Sequence, residues 1–198
     1  MSVASYEARV RAALAEIGVP LALIRRRGLQ LCAEAQSLVV AEVDARGREQ
    51  RLTPEAAAAW RAMKADAADA MIELHLVSAF RSLDRQREIL RAKLAAGQAL
   101  EQILAVSAPP GYSEHHTGRA VDVGLAADDP LDEAFERSAA YAWLAKNAAR
   151  HGYFLSYPRG NRHGYRYEPW HWLHRGERSR AQRMMEPAAN DPPLKGSA

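Results

Sequence analysis

Ser113–Gly124 reads "SEHHTGRAVDVG". Two adjacent histidines stand beside an acid, Gly118 follows, and an apolar run is then broken by Asp122. The run 119–124 predicts a strand. Gly118 predicts a turn ahead of it, because a residue without a Cβ takes backbone conformations closed to the others. Such a turn brings a residue before it and Asp122 after it to one point. Side chains alternate along an extended backbone, so His115 and His116 are not expected to serve one small centre together. One is the site residue and the other its neighbour. Taken alone, a histidine and an aspartate beside a turn are more often caps or surface groups.

A second cluster changes the balance. "YEPWHWLH", 167–174, sets Glu168 three residues before His171 with Pro169 between them. Pro169 biases Glu168 to an extended conformation and excludes a helix interior, so this is not the helical His-Glu-x-x-His of many metallopeptidases. In an extended segment, Glu168 and His171 need not point at the same atom: one can hold a metal while the other works on what the metal binds. His115, Asp122 and His171 together form a two-histidine, one-carboxylate set, which suits a catalytic zinc with an open fourth position. Zinc lowers the pKa of water from about 15.7 to about 7, and the chemistry then needs a base that is not a ligand, for which Glu168 is the candidate. A developing oxyanion also needs a positive donor, and Arg81, just after the strand predicted at 73–78, can supply it. By its local sequence alone Arg81 reads as a surface arginine before a helix.

Outward from these motifs, helices are predicted near Tyr6–Ile17, over "LTPEAAAAWRAMKADAADAM" (52–71), over 83–97 and over 138–152. In the second of these Thr53 is the cap, Pro54 fits the first position, and Trp60, Met63 and Ala67 make the inward stripe. Strands are predicted at 37–43, 73–78 and 119–124, with extended segments at 153–157 and 168–174, a turn at 45–47 and a short basic helix after His174. Helices mixed with non-adjacent strands predict a single compact α+β domain. The expected organisation is an N-terminal helix and strand extension over 1–51, a catalytic domain over 52–185 and a disordered tail over 186–198.

The chain has 198 residues, 48% hydrophobic and 26% charged, enough for one well-buried core. Its net charge of +3 does not by itself indicate a nucleic-acid binder. Seven arginines crowd into 159–183 against Glu168 and Glu177, a stretch that suits either a solvated basic face or a substrate with several carboxylates. Cys32 is the single cysteine, so no intramolecular disulfide forms. The one apolar run, Val19–Ile24, is far shorter than the ~18 residues of a membrane span. No membrane and no nucleic-acid partner is expected, and the chain as written reads as cytoplasmic, or as periplasmic if a leader has been removed.

Three motifs then add up to a family. "SEHHTGRAVD" fits Ser-x-His-x-x-Gly-x-Ala-x-Asp, "EPWH" supplies the accompanying Glu-x-x-His, and "SAFRSLDRQ" resembles the family's Ser-Gly-Tyr-Arg-Ser…Gln segment. In this order, from about Leu52 to Gly176, the chain resembles the VanY-type D-alanyl-D-alanine carboxypeptidases. These are zinc peptidases related to D-Ala-D-Ala dipeptidases and to L,D-carboxypeptidases of peptidoglycan. The resemblance implies a central, mostly antiparallel sheet packed with helices, a fold shared with hedgehog-type domains. It also implies zinc (Zn2+) on His115, Asp122 and His171, Glu168 as catalytic base, Arg81 on the oxyanion, and Ser113 and Gln86 holding the substrate's terminal D-Ala. Peptidoglycan peptides or muropeptides are the expected partners, and a monomer is the expected state. Ala79 and Phe80 depart from the usual Gly and Tyr, Ser156 stands where an arginine is usual, and "WLH" replaces an aromatic-Arg-Tyr. None of these touches the ligands or the base.

The expected activity is removal of a C-terminal D-alanine from stem peptides, by L,D-cleavage of tetrapeptides or D,D-cleavage of pentapeptides. A serine peptidase is disfavoured, since Ser-x-x-Lys is absent and "GYSEH" fails the Gly-x-Ser-x-Gly elbow. Two alternatives remain: an L-alanyl-D-glutamate endopeptidase with the same site, and a non-catalytic zinc module. The latter needs a fourth protein ligand, from His116, His163 or Cys32.

Overall fold

A computed structural model describes residues 3–44, 47–126 and 129–176. The turn expected at 45–47 falls partly outside these residues, and the basic helix after His174 and the tail over 186–198 lie outside them. The chain runs α1 (Val3–Ile17), α2 (Leu21–Arg26), β1 (Val39–Val43), β2 (Glu49–Leu52), α3 (Pro54–Asp69), β3 (His75–Ser78), α4 (Leu83–Ala95), α5 (Leu100–Leu104), β4 (Ala120–Gly124), α6 (Ala139–Asn147), β5 (Tyr153–Leu155) and β6 (His171–His174). This is the α+β arrangement expected. β3, β4, β6 and β5 lie side by side in that order, each antiparallel to its neighbour, and β1 pairs with β2 in a separate hairpin.

Local chemistry accounts for the helix starts. Thr53 accepts from the Ala56 N–H and Pro54 occupies the first helical position of α3, while Ser82 accepts from the Arg85 N–H to start α4. Gly152, with φ of 73°, ends the α6 region after a short 3₁₀ extension. The strand β2 was not expected, because "EQRL" is polar and only Leu52 is buried; its pairing with β1 makes it a strand. The short helices α2 and α5 carry too few periodic positions to be read from pattern.

Two hydrophobic clusters hold the molecule. One packs α3 and α6 onto the four-stranded sheet, with Leu52, Trp60, Met63, Leu76, Val121, Val123, Leu144 and Tyr153 at its centre. The other joins α1, α2, α4 and α5 through Val10, Leu14, Ile17, Ile24, Leu83, Leu90, Ile103 and Leu104. Ala79 belongs to the first and Leu83 to the second, so the short segment carrying Arg81 ties one to the other. All five residues of β4 are buried. Val121 and Val123 face the sheet's own core, which leaves Asp122 on the opposite face.

Candidate active site

The sheet register builds the centre. Asp122 is paired directly with His171 on β6 and with Ser78 on β3, so these three side chains form a row across one face. His171 Nδ1 lies 2.9 Å from Asp122 Oδ1. On the other side, Arg81 Nη2 donates to Ser78 Oγ at 2.8 Å and lies 3.6 Å from Asp122 Oδ2.

His115 arrives from a different element. Glu114–Thr117 form one turn of 3₁₀ helix, not the extended stretch expected, and Gly118 ends it in the left-handed region at φ 62°. The two histidines still diverge, because successive residues on a 3₁₀ helix are about 120° apart. His115 Nε2 reaches Asp122 Oδ2 at 3.1 Å. His116 turns away: its Nδ1–H donates to the Arg81 carbonyl at 2.6 Å, and its Nε2 accepts from the Gly111 N–H at 3.0 Å. Segment 79–81 clamps the pair, since the His115 Nδ1–H donates to the Ala79 carbonyl and the Arg81 N–H donates to the His115 carbonyl. Ala79 meets the histidine through its backbone carbonyl, while its methyl packs in the first hydrophobic cluster.

Glu168 and His171 are joined by a turn with Pro169 at its second position, where its fixed φ is favoured. The His171 N–H donates to the Glu168 carbonyl at 3.1 Å. The expectation of an extended segment here is corrected. The turn brings Glu168 Oε2 to 3.8 Å from His171 Nδ1.

His115, Asp122 and His171, all buried, offer donor atoms within 4.8 Å of one another and can hold a metal ion. Their outer atoms fit that use. His115 spends its Nδ1–H on Ala79, and His171 its Nε2–H on Glu114 Oε2 at 2.9 Å, so each ring turns its other nitrogen inward. Glu114 was missed by sequence reasoning: its partner lies 57 residues on, and no spacing rule joins them. Among the described residues no fourth histidine or cysteine joins the group. Cys32 meets the Gln30 carbonyl and His163 the Arg27 carbonyl.

The electrostatics follow from burial and these partners. Burial pushes His115 below its ordinary value, against the attraction of Asp122. Burial opposes a charge on His171, while the hydrogen bonds to Asp122 and Glu114 favour it and outweigh burial, raising that ring above its ordinary value. Burial likewise opposes the Asp122 charge, yet His115 and His171 hold its carboxyl well below the usual carboxylate range. Glu168 is pushed up to about 7 by burial, against the attraction of His171 and with the help of Asp122 and Glu114.

A cavity of about 410 Å³ opens beside this centre, lined by Arg81, Ser113, Glu168 and the donor trio, with Ile89, Lys93 and Ser107 also in its wall. Gln86 is 1% exposed and does not line it. Its Oε1 accepts from Arg81 Nη1 at 2.9 Å and its Nε2 donates to the Ala108 carbonyl at 2.7 Å, so it braces Arg81 from behind.

The buried donor trio, a carboxylate beside it and a cavity in front make a centre that can hold a metal ion next to a bound molecule. The chain belongs to the VanY D-alanyl-D-alanine carboxypeptidase family, whose model matches residues 49–177. A putative carboxypeptidase, YodJ, of Bacillus subtilis is 33% identical over 74% of this chain and 56% of its own length. The bifunctional D-Ala-D-Ala dipeptidase and carboxypeptidase VanXYC of Enterococcus gallinarum is 33% identical over 63% of this chain and 67% of its own. The solved LdcB LD-carboxypeptidase superposes with a TM-score of 0.66 at 32% identity, over 76% of this chain and 72% of that one. The chain spans only about half of the Bacillus relative's length.

Proposed function

We propose that the protein is a zinc-dependent carboxypeptidase that removes the C-terminal D-alanine from peptidoglycan stem peptides and acts as a monomer. The observation that carries this is the anchoring of both histidines by their outer nitrogens, which aims His115 Nε2 and His171 Nδ1 with Asp122 at one point. Two histidines and one carboxylate, with no further protein ligand, are the donor set of a catalytic zinc. Zinc held there polarises a carbonyl and lowers the pKa of water to about 7.

The chain's own residues do the rest. Glu168 is held 3.8 Å from His171 Nδ1 without being one of the trio, so its carboxylate stands beside the donor set and is placed to take a proton there. Glu168 takes that proton from the attacking water on one carboxylate oxygen and returns it to the leaving amine. Arg81, fixed by Ser78, Gln86 and Asp122, presents a guanidinium to the negative charge that grows on the scissile carbonyl oxygen. Ser113, 3% exposed on the cavity wall, meets the terminal residue.

The test is D-alanine release from a stem tetrapeptide and a stem pentapeptide by protein of measured zinc content. Release from the tetrapeptide assigns L,D-cleavage, and release from the pentapeptide D,D-cleavage. Release from neither by zinc-loaded protein rejects the reading.

A further inference from the structure

The arginine-rich stretch has a part that the catalytic scheme leaves unused. Arg159 is committed, to Glu133 at 3.1 Å and to Glu136 at 2.7 Å. Arg162 and Arg175 instead line a second cavity, of about 560 Å³. Tyr157 and Tyr165 stand in the walls of both cavities, so the two are neighbours across these rings. Glu114 also lines the second cavity, while its Oε2 takes the His171 Nε2–H. That cavity therefore begins one imidazole ring away from the donor trio. Ser156, a small residue where an arginine is usual, lines it too and leaves the space open.

The charges around it are unbalanced. Among the described residues neither Arg162 nor Arg175 has a carboxylate within ion-pair distance. Arg162 Nε donates to His163 Nε2 at 3.2 Å, and the Arg175 guanidinium lies 5.7 Å from the centroid of the Phe154 ring. Glu114 is the one acid lining this cavity, and His171 already takes it. Tyr165 is 8% exposed, and its buried hydroxyl hydrogen-bonds to nothing among the described residues. Burial pushes its pKa up, so the hydroxyl keeps its proton and can donate. A buried donor left unmet is costly, and two guanidinium groups beside it call for the same partner, an acceptor with negative charge.

A carboxypeptidase cuts at the carbonyl of the residue before the last, so that residue's side chain starts beside the metal centre. In a stem pentapeptide ending in two D-alanines it is a methyl, too short to pass the tyrosines. In a tetrapeptide it is the long side chain of a diamino acid, which can span the width of a ring. An acidic diamino acid ends in a carboxylate beside its second amine. Lysine ends in an ammonium alone and meets like charge from both arginines.

We infer that the second cavity takes the side chain of the residue before the terminal D-alanine. Arg162, Arg175 and the Tyr165 hydroxyl receive the carboxylate at its end, which selects stem tetrapeptides carrying an acidic diamino acid. This rests on the carboxypeptidase reading above. The test compares two tetrapeptides that differ only in meso-diaminopimelate or L-lysine before the D-alanine, with a pentapeptide alongside. Each is given to zinc-loaded wild type, to the double variant Arg162→Gln/Arg175→Gln and to Tyr165→Phe. A charge-assisted hydrogen bond accounts for about 10- to 100-fold in binding. The wild type is expected to favour the diaminopimelate peptide over the lysine peptide by that factor in kcat/KM. The double variant loses most of the preference, mainly through a raised KM on the acidic peptide. Tyr165→Phe, which removes a hydroxyl that holds nothing in the chain, loses a smaller part and serves alone if the double variant fails to fold. Equal cleavage of the two tetrapeptides by wild type, an unchanged ratio in every folded variant, or release from the pentapeptide alone overturns the assignment and leaves the carboxypeptidase reading intact. Cleavage of none of the three by wild type overturns both.

Discussion

Two carboxylates flank His171 and are set to do different work. Glu168 Oε2 stands 3.8 Å from the inward Nδ1, free of the trio, whereas Glu114 Oε2 takes the outward Nε2–H at 2.9 Å. Substituting each by its amide keeps shape and removes charge, so the two variants separate the roles. Glu168→Gln is expected to keep its zinc and lose about 10²- to 10⁴-fold in turnover. Glu114→Gln is expected to bind zinc about 10- to 100-fold more weakly, with turnover recovered when zinc is in excess. Metal content, chelator competition and D-alanine release measured together check the pair. Turnover near wild type in Glu168→Gln would sink its assignment as base. His116, the other member of the histidine pair, is a strut: both ring nitrogens are spent on backbone groups that hold 111–118 against 79–81.

At the scale of elements, the turn at Gly118 sets where His115 and Asp122 meet. Its φ of 62° is one that residues with a Cβ rarely adopt, and an added Cβ would stand 2.8 Å from Leu38 Cδ2 and 3.1 Å from Ala35 Cβ. Gly118→Ala therefore combines backbone strain with crowding, and ~1–3 kcal/mol of stability is expected to be lost, read as a lower urea midpoint at unchanged m-value. Much of this region was legible in the sequence because its signals are local. A glycine turns the chain ahead of a strand, an aspartate interrupts that strand's apolar run, and a Thr-Pro pair starts α3, whereas the turn that carries Glu168 reads as extended. What was not legible depended on partners distant in the chain. β2 is a strand because β1 is beside it, and the polar "EQRL" carries no sign of that. The histidine pair reads as extended next to a strand, yet the carbonyls of 79–81 hold it as a 3₁₀ turn. Nothing local marks Glu114 beside His115, and only the fold brings it against a ring 57 residues away.

Across the whole molecule, the first fifty residues are not peripheral to the centre. Tyr6, Val10, Leu14 and Ile17 of α1 fill the cluster that also buries Leu83 and Leu90 of α4, the helix behind Arg81. The Cys32 N–H donates to the Gly111 carbonyl and the Ala35 N–H to the His116 carbonyl, so the segment after α2 lies along the histidine motif. Val10 also packs so close to Gly111 that an added Cβ there would meet its methyls at 2.6 Å. A chain shortened to begin at Leu38 would expose the apolar face of α4 and free one side of the motif. It is expected to lose cooperative thermal unfolding and zinc binding together, followed by circular dichroism and metal titration. A shortened chain that melts cooperatively and still binds zinc would show that the sheet half is self-sufficient.

The ladder pairing of Asp122 with His171 has one more consequence, for how such a chain can change over time. Backbone hydrogen bonds between β4 and β6 hold these two donors together, whatever path the chain takes from one strand to the other. Loops within the intervening stretch, such as the one carrying Leu131 of the cavity wall, can change in length or side chains while the donors stay in place. A slip of one residue between the strands has the opposite outcome, because it turns every side chain of a strand to the other face at once. Variation is thus cheap around the centre and forbidden within it, and new substrate preferences can be tried without rebuilding the machinery that cuts.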